Sequence, residues 1–250
     1  MHSKSYHPSR FEKNFPKIVM GESRRNGGVS IYPYESLNLG LNTQDEIHSV
    51  NTNRQIFFDL LNISSSQVVS GLQVHDDLIL EALESGCFYG YDAFVTNQKD
   101  LFLTIGIADC TPVLIFDPIN LAIGAAHAGC KGTAKNISAK TLLKMKEFYG
   151  SEPKDCFAFI GTCIDTANFE VGEEVAEKFE DNFVHYFPHS NRPHIDLKSA
   201  NRQQLLDVGI PAENIEISEF STFLDNEHYF SYRKENAQTG RMLAVIGMRV

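Results

Sequence analysis

Three residues of metal-binding type stand in short apolar contexts: His75 in Gln73-Val74-His75, Cys110 in Ile107-Ala108-Asp109-Cys110-Thr111-Pro112, and His127 in Ala125-Ala126-His127-Ala128-Gly129. Each ends or follows a run that reads as a strand, so the three can converge on one cleft. Two imidazoles and one thiolate suit zinc, and three protein ligands leave a fourth tetrahedral position for water or substrate. Bound metal would hold Cys110 as thiolate, far below its free pKa of about 8.5. Residue type alone also allows a second account. Buried cysteines are common core residues, and a strand-end histidine is commonly just hydrogen-bonded. No compact motif such as C-x-x-C or H-E-x-x-H joins the three.

The elements that must position them alternate along the chain. Apolar residues at helical spacing (Ile47, Val50, Phe57, Phe58, Leu61, with the stem of Arg54) predict a helix over 45–61. Short apolar runs predict buried strands over 67–74, 92–96, 101–107, 112–116 and 121–126. Asp117-Pro118-Ile119-Asn120 is the turn expected to join the last two as a hairpin. Helices are predicted over 132–148, 172–183 and 196–208. Asp196 is placed to cap the last, which Gly209 and Pro211 end. Further strands are predicted over 156–160, 215–217 and 242–250. Gly27-Gly28 reads as a hairpin turn rather than a phosphate cradle. The expectation is one α/β domain with a mixed sheet, spanning residues 1–250.

Composition narrows the function. A net charge of -10 argues against nonspecific binding to nucleic acid or to an anionic membrane, which needs a basic face. No apolar run reaches the roughly 18 residues of a membrane span, and residues 1–10 show no signal-peptide core. Five sparse cysteines suggest a reducing, cytoplasmic setting rather than a disulfide scaffold. No protein partner is inferred. No G-x-G-x-x-G or P-loop points to a dinucleotide or ATP. His2 and His7 are expected in a mobile terminus, and His185, His189 and His194 in loops, Pro188 breaking the spacing of the first two.

Gln73-Val74-His75, Asp92-Ala93-Phe94-Val95-Thr96, Ala108-Asp109-Cys110-Thr111-Pro112-Val113 and Ala126-His127-Ala128-Gly129 together resemble the YfiH-type family, also called laccase-domain or polyphenol oxidase proteins. The resemblance extends to Ser23-Arg24-Arg25-Asn26-Gly27-Gly28-Val29-Ser30 and Ser36-Leu37-Asn38-Leu39-Gly40. Further on it takes in Phe169-Glu170-Val171-Gly172-Glu173, Asp196-Leu197, Asn201-Arg202, Phe230-Ser231-Tyr232-Arg233 and Thr239-Gly240-Arg241. It covers about residues 20–245, in order. It implies a layered α/β fold similar to cysteine-hydrolase toxins, and zinc on His75, Cys110 and His127. It also implies phosphorolysis of purine nucleosides such as adenosine, inosine and methylthioadenosine, and deamination of adenosine. Some members are instead linked to editing of peptidoglycan precursors. The family's usual Gly-Trp-Arg-Gly reads Gly129-Cys130-Lys131-Gly132 here; Thr162 stands for a usual proline, and Ser221-Thr222 for a usual Cys-Thr. Lysine in place of arginine offers a point charge instead of a planar fork.

The older label fails against the residues. Multi-copper oxidation calls for a Cys–His copper centre plus paired His-x-His ligands, and the nine histidines here form no His-x-His. Zinc is therefore preferred to copper. The deaminase signature H-x-E with P-C-x-x-C is also absent. Arg25, Lys131, Arg233 and Arg241 are candidate anion contacts or, equally, structural ion pairs. Asn38 either meets substrate or caps a turn. Asp109 either orients a ligand histidine or satisfies backbone donors. The preferred reading is a zinc-dependent purine nucleoside phosphorylase with Cys110, His75 and His127 at its centre. The rivals are a cysteine-dependent hydrolase of a peptidoglycan precursor, with Cys110 as nucleophile and His127 as base, and a non-catalytic metal-binding protein.

Overall fold

The computed structural model describes residues 5–188 and 190–250. In chain order the strands are β1 (Tyr6–Pro8), β2 (Ile18–Ser23), β3 (Val68–Leu72), β4 (Ile79–Glu81), β5 (Gly86–Tyr89), β6 (Ala93–Thr96) and β7 (Phe102–Ile107). They continue as β8 (Thr111–Asp117), β9 (Ala122–Ala128), β10 (Phe157–Ile160), β11 (Val184–Tyr186), β12 (Pro193–Ile195), β13 (Ile215–Ile217) and β14 (Met242–Met248). The helices are α1 (Phe11–Asn14), α2 (Ile47–Leu60), α3 (Cys130–Ala134), α4 (Ile137–Tyr149), α5 (Glu173–Ala176) and α6 (Leu197–Asp207). One six-stranded mixed sheet has the order β1-β2-β14-β7-β3-β5, a second β13-β10-β8-β9-β6-β4, and β11 pairs with β12 in a ribbon.

Side-chain alternation explains the layering. Along β14, Met242, Ala244 and Ile246 enter the core between the sheets, while Leu243 and Val245 face outward onto α2. Along β8, Leu114 and Phe116 share that central core, whereas Val113 and Ile115 meet Leu142 and Met145 of α4 and Leu205 of α6. A strand apolar on both faces must lie between two layers. The order is therefore helix, sheet, sheet, helix. No helix among the described residues is long and apolar enough to cross a membrane.

The predicted hairpin of β8 and β9 forms in register from Thr111↔Ala128 to Asp117↔Ala122. Asp117 Oδ1 accepts from the N–H groups of Ile119 and Asn120, which closes the turn. At α6, Asp196 caps the first turn by accepting from Ser199 N at 2.9 Å, and Gly209 turns the chain out at φ +106°.

Other expectations need correcting. The helix over 132–148 is two helices, because Asn136 adopts the left-handed conformation (φ +61°), which asparagine tolerates. The helix over 172–183 stops at Ala176. Glu173, Glu177, Glu180 and Asp181 would repel one another along its exposed side. Gly27 and Gly28 make no strand hairpin; both donate their N–H to Ser36 Oγ within an irregular segment. His7 lies in β1, its Nδ1 3.2 Å from Glu22 Oε1, so that part of the N-terminal segment is tied into a sheet. His185 and His194 are cross-strand partners in the ribbon rather than loop residues. His2 and His189 lie outside the described residues.

Replacing Asp196 by Ala removes the cap of α6 without touching the centre. The expected outcome is a loss of about 1 kcal/mol in urea unfolding with unchanged slope, and unchanged metal content.

Candidate metal centre

The ligands sit where the two sheets meet at one end. His75 lies three residues beyond β3 of the first sheet, and Cys110 lies in the tight passage from β7 to β8. His127 is the penultimate residue of β9 in the second sheet. Their ligand atoms all lie within 4.8 Å of one another, and among the described residues they are the group of three or more His, Cys, Asp or Glu side chains so placed. Tetrahedral bonds of about 2.0–2.3 Å require ligand separations of about 3.3–3.7 Å, so small rotamer shifts suffice. Burial rises from exposed His75 through Cys110 to buried His127, leaving one side of the centre open.

Backbone strain at this end is held by hydrogen bonds. His75 (φ +60°) and Asp109 (φ +88°) both occupy the left-handed region, which costs a non-glycine residue about 1 kcal/mol or more. Asp92, fully buried at the start of β6, accepts from the N–H groups of Val74 (3.1 Å), His75 (3.0 Å) and Asp76 (2.9 Å). The same carboxylate lies 2.8 Å from His127 Nδ1. That contact assigns the Nδ1 proton to the Asp92 side and turns Nε2 toward Cys110, the carboxylate–histidine arrangement of metal sites. Burial alone would raise the Asp92 carboxyl, but the donors from His127 and the backbone hold it below the usual range.

Cys110 and His127 shift in opposite directions. Burial favours the neutral thiol, yet the adjacent His127 charge and hydrogen bonds from both imidazoles lower Cys110 to about 6. Burial opposes the imidazolium, yet Cys110 and Asp92 raise His127 to about 9. The pair thus favours thiolate, the state that ligates a metal. Gly129 leaves room for it. A Cβ there would stand 2.8 Å from Cys110 Sγ and 3.4 Å from His75 Cδ2, inside the space the ligands occupy. Donor types, proximity and this clearance all fit a transition metal.

A cavity of about 570 Å³ opens from the centre along the outer face of the first sheet, lined in part by Leu39, Arg54, Ser70, Lys131, Arg233 and Arg241. Lys131 is exposed at its mouth, and among the described residues its ammonium has no hydrogen bond or ion pair. Arg241 lines it while donating to the carbonyls of Thr239 and Gly240. Arg233 also reaches it, although its guanidinium donates to the carbonyls of Asn168 and Glu170.

Two of the sequence-derived contacts do not line the cavity. Arg25 pairs with Glu235 at 3.1 Å, donates to the carbonyls of Glu35 and Asn226, and stacks on Phe230 away from the cavity. Asn38 is fully buried; it accepts from the N–H groups of Gly40 and Arg241 and donates to Thr43 and Asp45. It shapes the loop over the cavity without lining it. Asp109 meets its second alternative only in part: it accepts from one backbone donor, the Arg233 N–H, and from the hydroxyls of Thr222 and Ser231. Orientation of a ligand histidine falls to Asp92. Its sequence signal was faint, an acidic residue directly before the apolar run Ala93–Val95.

Comparison with known proteins agrees with this geometry. The family model for multi-copper polyphenol oxidoreductase laccase matches residues 19–249. Purine nucleoside phosphorylase YlmD of Bacillus subtilis is 32% identical, over 95% of this chain and 91% of its own length. A purine nucleoside phosphorylase of Deinococcus radiodurans is 37% identical, over 90% and 87%. Among solved structures, the hypothetical protein YfiH of Bacillus licheniformis superposes with a TM-score of 0.94 at 31% identity, covering 99% of this chain and 98% of that one. YlmD from Geobacillus stearothermophilus gives 0.92 at 28%, covering 100% and 98%.

Replacing Asp92 by Asn should weaken metal binding about 10- to 100-fold while the chain stays folded. Gly129→Ala should weaken it too, by crowding Cys110. Chelator competition followed by elemental analysis measures both; wild-type affinity in Asp92→Asn would remove Asp92 from the centre.

Proposed function

The chain belongs to the laccase-domain (YfiH) family, and we propose that within it this protein is a zinc-dependent purine nucleoside phosphorylase. The observation that carries the reading is an open three-ligand centre at the end of a cation-lined cavity. A structural zinc is normally closed by four ligands, so three facing a cavity suit chemistry. Zinc bound by His75, Cys110 and His127 would supply a Lewis acid for an oxygen of phosphate or water. Asp92 holds His127 in the ligating tautomer, and Cys110 supplies the anionic ligand. Lys131 at the mouth offers a charge to an incoming anion. Adenosine, inosine and methylthioadenosine are the proposed substrates, named for the purine nucleoside phosphorylases this chain resembles and for its family motifs. Deamination of adenosine at the same centre belongs to the proposal, as does a reducing, cytoplasmic setting.

One observation favours a second reading. The thiolate–imidazolium tendency of Cys110 and His127 is also what a cysteine nucleophile needs. The two readings differ in product. Phosphorolysis releases ribose 1-phosphate only when phosphate is supplied and leaves Cys110 unmodified. Chromatography of products, with intact-mass measurement of the protein, decides between them; a substrate-derived adduct on Cys110 would sink the phosphorylase reading.

Lys131 gives a finer test. Because the residue is exposed, Lys131→Ala should raise the KM for phosphate by only roughly two- to fivefold. Lys131→Arg should lower it, a fork replacing a point charge. Metal content should stay constant in both. Equal KM values in steady-state kinetics for all three proteins would take Lys131 out of the site.

A further inference from the structure

The end of the cavity away from the metal ligands is built from residues that packing alone does not call for. Along the outward face of β7, side chains shrink from Phe102 to Thr104 to Gly106, and Ala108 follows the strand. On the neighbouring β3 the cavity is lined by Ser70 and Gly71, with Leu72 beyond them toward the metal end. These small residues leave space where the same face farther down is filled by Val68, Phe102 and Val245 against Phe57 and Phe58. A sheet face covered by a helix would ordinarily be filled by large apolar groups.

Arg54 enters this space from α2. It stands one turn before Phe57 and Phe58, on the stripe that meets the sheet, where the helical repeat calls for an apolar residue. Its guanidinium donates to the Leu39 carbonyl and to Ser70 Oγ, both at 2.9 Å, and lies over the Phe58 ring. Thr104 Oγ1 donates to the Val69 carbonyl at 2.8 Å and so accepts from Ser70 Oγ at 2.9 Å, which leaves both hydroxyl protons engaged. Two of five N–H groups are thus used, and among the described residues no carboxylate pairs with the charge. Burial lowers the guanidinium to about 10. A sheltered charge without a counter-ion is costly, and an anionic ligand would relieve that cost.

The surroundings point the same way. In a chain with 32 acidic and 22 basic residues, the cavity is lined by Arg54, Lys131, Arg233 and Arg241 but by one carboxylate, Asp109. Asp109 belongs to the metal end and is occupied by its three donors. The adjoining hollow of about 400 Å³ shares Leu41, Arg54 and Ser70 with the cavity, and no carboxylate lines it. The five-residue step from Ser70 to His75 limits their separation to about 17 Å even if fully extended, and the turn at His75 shortens it. Arg54 therefore lies within a nucleotide's reach of the centre along one cavity.

We propose that Arg54, Ser70 and Thr104 form a phosphate subsite at the far end of the cavity. Arg54 presents its unused N–H groups to two oxygens, while Ser70, itself held by Thr104, fixes the guanidinium in place. Two phosphate sources share this chemistry: free orthophosphate, and the 5′-phosphate of a nucleotide whose sugar and base lie toward the metal. The assignment rests on the nucleoside reading only for what fills the rest of the cavity.

Calorimetric titration of the metal-loaded protein with orthophosphate, adenosine and adenosine 5′-monophosphate tests it. Arg54→Gln should weaken the phosphate-bearing ligand tenfold or more, with adenosine affinity and metal content changed less than twofold. Ser70→Ala, a smaller change, should weaken it severalfold, and Arg54→Lys should recover part of the loss. Tighter binding of the nucleotide than of adenosine in wild type, lost in Arg54→Gln, identifies the 5′-phosphate. Arg54-dependent binding of orthophosphate alone identifies the free ion. Phosphate affinities equal to wild type in folded, metal-replete Arg54→Gln and Ser70→Ala overturn the subsite, even if phosphorolysis is observed. Arg54-dependent phosphate binding without any phosphorolysis would uphold the subsite and remove the phosphorylase reading.

Discussion

One buried carboxylate, that of Asp92, ties the two sheets together at their functional end. Its oxygens serve the N–H groups of Val74, His75 and Asp76, which follow a strand of the first sheet, and the ring of His127 in the second. The segment carrying His75 has left the β ladder, so these amides have no strand partner to fall back on. A carboxylate with several donors is stable when buried, and the same donors keep it ionised. Losing the charge would therefore release the His75 turn and the His127 tautomer together. Lys135 pairs with Asp76 and Asp77, and Lys140 with Asp77, on the outside of the same turn. Exposed pairs of this kind contribute about 1 kcal/mol or less each. The interior acceptor outweighs the exterior ones.

A second consequence is that ligand geometry does not depend on a local motif. Cys110 is fixed by the passage between sheets, where Asp109 holds Thr222, Ser231 and the Arg233 amide from segments more than 100 residues away. His127 is fixed by the ladder with β8 and by its N–H bond to the Asp92 carbonyl at 2.7 Å. Below it, Thr133 donates to the Ala128 carbonyl, and Asn201 of α6 donates in turn to Thr133. The candidate centre is a product of sheet packing, which explains why its successive residues are 35 and 17 positions apart in sequence.

That origin sets what was legible in the sequence. The β8–β9 hairpin and the capped α6 could be read because their signals are local: Asp117 and Asn120 close a turn, and Asp196 with Gly209 bound a helix. The three candidate ligands were singled out by resemblance, since spacing alone left them open, and the fold brings them together. Asp92 was not, because its four donors come together only in the folded chain. Arg25 and Asn38 were candidates because a polar loop side chain serves substrate and backbone equally well. Here backbone carbonyls and amides surround both. Arg54 was read for its aliphatic stem on an apolar stripe, which is accurate for packing yet silent about where the guanidinium ends. Strand β2 escaped because Glu22, buried against Thr162, interrupts its apolar pattern.

The cavity itself follows from subtraction and charge. Small residues on β3 and β7 withhold volume from the helix–sheet layer, and Gln73 keeps the gap open by bonding both the N–H and the carbonyl of Gly106, replacing a strand pair where β3 and β7 part. Cations then line what packing has left empty, in a chain whose net charge is -10. The acidic exterior repels anions in bulk, so the positive cleft must act at short range, where low-dielectric walls strengthen it. For the proposed phosphate subsite, the pull on an anion thus comes from the cleft and not from the exterior. A small anion fits inside the cationic cleft, whereas an extended one must also lie along the acidic surface.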